Sequence, residues 1–253
     1  MNELVNKESQ ELSNEWSDKL QALAKDYALE EEKLITAPYI STMGGRFSFQ
    51  KSELPNPLKV VILDSVFDNA FYERAFSPDQ YQAPVCFAIN KIMDELQPHE
   101  YAPKPQSEFC KPCPKNQYGS TPSGGKACRN YRRLLVMHAN DVEDLGGGEE
   151  NLALLNISPT SMAIYSKYAY HLFNAVKRPV FSVITSISLG QRGGKSYNSF
   201  SFSMERMIND DMQLDRLLEI KENSQNLLLL PYPVQKSESK IEDESAHLDT
   251  DKF

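Results

Sequence analysis

The chain has 253 residues, 40% hydrophobic and 25% charged, with a formal net charge of -8. That length supports one large domain or two small ones without disulfide support. No apolar run approaches the roughly 18 residues needed to span a bilayer, and the acidic Met1-Asn2-Glu3-Leu4 start lacks the pattern of an export signal, so no membrane role and a cytoplasmic location are expected.

The negative charge does not exclude a polyanionic partner, because it is unevenly placed. Residues 1–36 carry -5 and residues 236–253 carry -3, which leaves residues 37–235 at zero. Within that neutral stretch, Lys104 to Arg133 holds seven cations against the single acid Glu108. Local field, not total charge, decides where a phosphate backbone would settle.

Residues 8–35 lack Pro and Gly and space Leu12, Trp16, Leu20, Leu23, Tyr27 and Leu34 for an amphipathic helix within an N-terminal unit of residues 1–36. A solvated helix competes here with an arm that docks on a second protomer and makes a homo-oligomer. Arg46 to Lys51 alternates as a strand, and Leu58 to Val66 reads as a second, buried one after the Asn56-Pro57 turn. The aromatic run Phe67 to Phe76 reads mainly as core, with one or two rings and Arg74 as an alternative stacking platform. Pro84 to Asn90 and Tyr131 to Met137 are further strands, separated by a long cysteine-containing insertion.

Gly146-Gly147-Gly148 is a flexible turn, and Leu152 to Ile157 another strand. Ser158-Pro159-Thr160 starts a helix that runs to Val176 and buries Met162, Tyr165, Ala169, Leu172, Phe173 and Val176. Val180 to Leu189 and Tyr197 to Met204 form a hairpin whose tip carries Arg192 and Lys195 among glycines; it is either a plain turn or a flap over a bound strand. Asp210 to Gln225 is a final helix, and Leu227 to Leu230 packs down before Pro231. The order predicts an α+β, mainly β fold: an OB-like barrel over residues 37–235 with flanking helices, a zinc-binding insertion at about 84–133, and an acidic disordered tail, 236–253.

Chemistry concentrates in that insertion. Cys86, Cys110, Cys113 and Cys128 are the only cysteines, and in a reducing compartment their clustering argues for metal before disulfides. Cys110, Cys113 and Cys128 supply three thiolates of a closed, structural zinc site. Cys86 as the fourth ligand leaves no orphan thiol; His99 and then His138 are the alternatives, and an iron-sulfur cluster ranks below zinc. Around the cysteines, Lys111, Lys115, Tyr118, Lys126, Arg129, Tyr131, Arg132 and Arg133 mix cations with rings, as a sequence-tolerant single-strand binder requires. Strand alternation puts Arg129, Tyr131 and Arg133 on one side and Asn130 with Arg132 on the other.

Cys110-x2-Cys113-Pro114-x-Asn116-x2-Gly119-Ser120, followed by Gly125-Lys126-Ala127-Cys128-Arg129 and Arg132-Arg133, resembles a pattern of certain phage single-stranded DNA-binding proteins. The tail is similar to the acidic C-termini closing on Phe of bacterial and phage proteins of that class, which places Asp249, Asp251 and Phe253 as partner-docking residues. The resemblance implies an OB-type fold with a zinc knuckle. It also implies a non-enzymatic role in bacteriophage DNA replication, recombination or repair in the host cytoplasm, with replication or recombination proteins as tail partners. The competing reading is a zinc-containing, metal-dependent nuclease using Asp64, Asp68 and Glu73.

Overall fold

A computed structural model describes residues 16–23, 38–74, 82–143, 151–191 and 198–232. Helix α1 covers residues 16–23. A two-strand ribbon follows, β1 (Ser48–Phe49) and β2 (Ser52–Glu53), with Gln50 and Lys51 at positive φ. The expected single strand Arg46 to Lys51 is therefore a hairpin, folded over by the two left-handed residues.

Next come β3 (Leu58–Phe71), β4 (Cys86–Asn90) and β5 (Cys128–His138), then the short helix α2 (Ala139–Glu143) and β6 (Leu152–Ile157). Helix α3 (Pro159–His171) precedes the hairpin of β7 (Val183–Gln191) and β8 (Asn198–Met207). Helices α4 (Asp211–Asn223) and α5 (Gln225–Leu229) end the described chain. Among these residues no helix is long and apolar enough to cross a membrane.

The main sheet is antiparallel and six-stranded, in the order β6-β5-β3-β7-β8 with β4 also paired to β3. β3 is its spine. One edge pairs with β5 along almost the whole strand. The other is shared, with Leu58 to Val60 on β7 and Phe67 to Phe71 on β4. Among the described residues the sheet is not closed into the expected OB-like barrel. Closure would require β6 to meet β8, whereas the outer edge of β6 is bridged by the Tyr39 segment, with the Ile40 amide donating to Leu154 O and the Leu154 amide to Pro38 O, and the sheet stays open.

Both faces of the sheet are covered. Val61, Leu63, Leu135, Met137, Leu217, Ile220 and Leu228 join the sheet to α4 and α5. On the other face Phe47, Val60, Ile62, Leu134, Val136, Tyr165 and Phe200 join it to α3. Burial on two sides explains why β3, β5 and β6 read as nearly continuous apolar runs. Asp210 caps α4 by accepting the Gln213 amide at 2.9 Å, the N-cap that starts this helix. Phe173, expected in the core, is 65% exposed. At Leu172–Val176 the helix widens into a π-turn, where Leu172 stays buried and Phe173 faces solvent.

Arg133 also departs from expectation. It is fully buried and donates to Asp68 Oδ2 through Nε (3.1 Å) and Nη2 (2.7 Å), while Nη1 donates to the carbonyls of Leu228 (3.2 Å) and Leu230 (2.7 Å). The Tyr232 hydroxyl donates to the same carboxylate oxygen at 2.8 Å, and the guanidinium lies 5.6 Å from the Tyr39 ring and 5.5 Å from the Tyr232 ring. One cation thus fastens the C-terminal segment to the sheet. The neighbouring carboxylate keeps the guanidinium charged despite burial.

Removing one partner of such a pair strands the other charge in the core. Arg133→Ala should cost about 3–5 kcal/mol in urea unfolding, and pairing Arg133→Met with Asp68→Leu should recover most of that loss. A single-variant loss near zero would contradict the clamp.

Candidate functional site

The end of β3 gathers the cysteines. Phe71, its last residue, lies opposite Cys86 of β4 on one side and Cys128 of β5 on the other. Directly paired residues share a face, so both side chains stand on the Phe71 side, from backbones about 9–10 Å apart across two strand spacings. Cys110 and Cys113 arrive from the β4–β5 connection. The Cys110 amide donates to Leu96 O at 2.9 Å, and Cys110 packs with Ala88 and Leu96.

All four thiols are buried, free, and lining one cavity of about 10 Å³, room for one water-sized guest. Burial pushes the thiol of Cys86 up, that of Cys110 to about 11 and that of Cys128 to about 12, with neighbouring cysteines adding to each shift. Yet among the described residues no group of three or more His, Cys, Asp or Glu side chains is set as a metal site. Phe71 stands between the two strand cysteines. In kind the donor set fits zinc, since soft sulfur ligands with Zn–S bonds of about 2.3 Å suit it.

The alternative fourth ligands lie elsewhere. His99 stacks on Phe87 at 5.0 Å and accepts the Tyr101 amide on Nδ1 at 3.1 Å. Phe87 follows Cys86 in β4 and so faces the opposite side of the sheet. His138 ends β5, roughly 34 Å along the strand from Cys128.

The cysteine loop is laced by its own polar groups as well. Asn116 donates to Cys110 O at 2.8 Å, and Gln117 to Lys111 O at 2.8 Å and Cys113 O at 3.2 Å. The Ser120 hydroxyl donates to Gln117 O at 2.7 Å and accepts the Ala127 amide at 2.8 Å. Gly119 and Gly124, at φ +87° and +81°, close the turn through a 3.0 Å backbone bond.

Around this end of the sheet, cations sit on rings. Lys115 lies 5.3 Å from Phe71, Lys126 5.2 Å from Tyr118, Arg129 5.6 Å from Tyr72 and Arg132 4.0 Å from Phe67. Arg132 also donates to Ser65 Oγ at 3.0 and 2.8 Å, and Lys126 to the amide oxygens of Asn116 and Asn130 at 3.3 Å each. Tyr118 is 82% exposed. Lys111 pairs with Asp94 at 2.9 Å. By strand register Arg129 and the half-buried Tyr131 lie on the face away from the thiols, and Arg132 on the thiol face. Of the predicted binding residues, Arg133 is a core residue. Arg192, Lys195, Asp249, Asp251 and Phe253 lie outside the described residues, as do Gly146-Gly147-Gly148 and most of the N-terminal unit. The sequence reading missed Phe67, Phe71 and Tyr72 as individual partners of cations; the density of aromatics after Val66 was the signal.

The carboxylates of the nuclease reading are not brought together. Asp64 engages Lys91 at 3.2 Å and Gln225 at 3.3 Å, Asp68 is enclosed by Arg133, and Glu73 pairs with Lys104 at 2.6 Å. Set against known protein families, curated proteins and solved structures, the chain matches none.

Burial would raise the Asp64 carboxyl, but the Ser65 amide, Lys91 and Gln225 outweigh it and hold the group below its ordinary value. A depressed carboxyl contributes stability above its unfolded pKa of about 3.9, lost as pH falls through the lower folded value. Asp64→Asn should therefore be less stable than wild type near neutrality and show a flatter fall below about pH 4 in urea unfolding. Parallel pH profiles for the two proteins would contradict this.

Proposed function

We propose that this chain binds single-stranded nucleic acid without sequence preference, as a non-enzymatic DNA-binding protein of replication, recombination or repair. The observation that carries the reading is the set of cation–ring pairs at one end of the sheet. Lys115, Lys126, Arg129 and Arg132 are each backed by an aromatic ring, and Tyr118 projects into solvent. Phosphates meet the cations electrostatically, and bases stack on an exposed ring whatever their identity. Lys111 extends the surface, with its charge shared with Asp94.

In this reading residues 84–133 form a zinc-binding subdomain. Cys86, Cys110, Cys113 and Cys128 would hold the metal as four thiolates, with no open position for chemistry. Bound zinc would supply rigidity, fixing the cysteine loop on the end of β3. The acidic tail would dock on replication or recombination proteins. The dispersal of Asp64, Asp68 and Glu73 favours binding over a nuclease.

Fluorescence anisotropy with oligo-dT over a salt series tests the surface. Tyr118→Ala should weaken binding by about 1–3 kcal/mol with little change in salt slope. Arg129→Ala should reduce the log–log salt slope by about 0.7, one phosphate contact on a single strand. Preference for duplex, or no binding, would sink the proposal.

Metal analysis tests the fastening independently. Cys86→Ser should lose most zinc while His99→Ala retains it; the reverse result would move the fourth ligand to His99.

A further inference from the structure

The N-terminal helix and a groove beside α4 have matching needs. Helix α1 presents Trp16, Leu20 and Leu23 at 57%, 45% and 50% exposure, spaced i, i+4, i+7 along one stripe. That spacing is how an amphipathic helix anchors in an apolar groove. Between α4 and the segment before β7 lies such a groove, about 290 Å³, lined by Pro179, Phe181, Leu214 and Leu218 with Arg178 and Asp215 at its rim.

The groove is well built for this. Leu214 and Leu218 form one ridge on successive turns of α4, with Leu218 41% exposed. The opposite wall is held by Arg178, which donates to Ile208 O at 2.6 Å and Asn209 Oδ1 at 3.0 Å. Each side also carries one charge of either sign, Asp18 and Lys19 on α1 and Arg178 and Asp215 on the rim.

We propose that α1 seats its Trp16–Leu20–Leu23 stripe in the Phe181–Leu214–Leu218 groove of its own chain. Residues 24–37 separate α1 from Pro38, and a segment of that length can span up to ~50 Å. A domain of this size has a radius of gyration of about 18 Å, so the groove is within reach. Tethering gives an effective concentration of order millimolar, which favours the chain's own helix over that of a second copy.

Trp16 is the single tryptophan of the chain, so its emission in the intact protein reports docking directly. The expected result is a blue-shifted emission that does not change on dilution and moves to the red in two variants: Leu20→Glu with Leu23→Glu on the helix, and Leu218→Glu in the groove. A carbodiimide cross-link from Lys19 to Asp215 in the unaltered protein provides a readout that needs no groove variant to fold. Emission identical in wild type and the helix variant would overturn the proposal. So would a blue shift that disappears on dilution, which would place α1 on a second copy, or one that survives in folded Leu218→Glu together with absence of the cross-link.

Discussion

The register of β3 against β5, reset once by a bulge between Ile62 and Asp64, is the constraint on which the site depends. Before the bulge, Leu58, Val60 and Ile62 face the α3 side. After it the parity changes: Phe67 and Phe71 lie opposite Arg132 and Cys128, while Val66 and Asp68 lie opposite Arg133 and Tyr131. A shift of one residue would turn every side chain of the outer half to the wrong face. The thiols would then lose their common cavity, and Arg133 would lose Asp68.

That register gives the end of the sheet two distinct characters. On the thiol face, Cys86 and Cys128 flank Phe71 and the cysteine loop settles over them, held by Asn116, Gln117 and Ser120. On the other face, the buried Arg133–Asp68 pair and Tyr232 draw the C-terminal segment onto β5. The buried pair costs desolvation, so its value lies in the penalty for breaking it rather than in net attraction. Lys115, Lys126, Arg129 and Arg132 are each backed by a ring instead.

Patterns set by neighbouring residues were legible in the sequence. Leu152–Ile157 was read with its observed boundaries, the final helix was read as starting at Asp210, one residue before α4, and the cysteine spacing marked the residues that line one cavity. What escaped depends on partners far along the chain. Arg133 looked like one more cation in a basic run because Asp68 and Tyr232 are 65 and about 99 positions away. β3 continues through Phe67–Phe71 because β4 and β5 pair with it there, an event no local period announces. The order of elements suited a barrel, but the Tyr39 segment lies along the outer edge of β6, and β6 and β8 are not neighbours among the described residues.

The central claim is that a single strand lies along the thiol end of the sheet. Ultraviolet cross-linking of oligo-dT to the full-length protein, with the modified residues located by mass spectrometry, addresses it most directly. The account predicts adducts concentrated at Tyr118, with further ones at Tyr72 or Tyr131. Adducts confined to α3, α4 or the β7–β8 hairpin would contradict it.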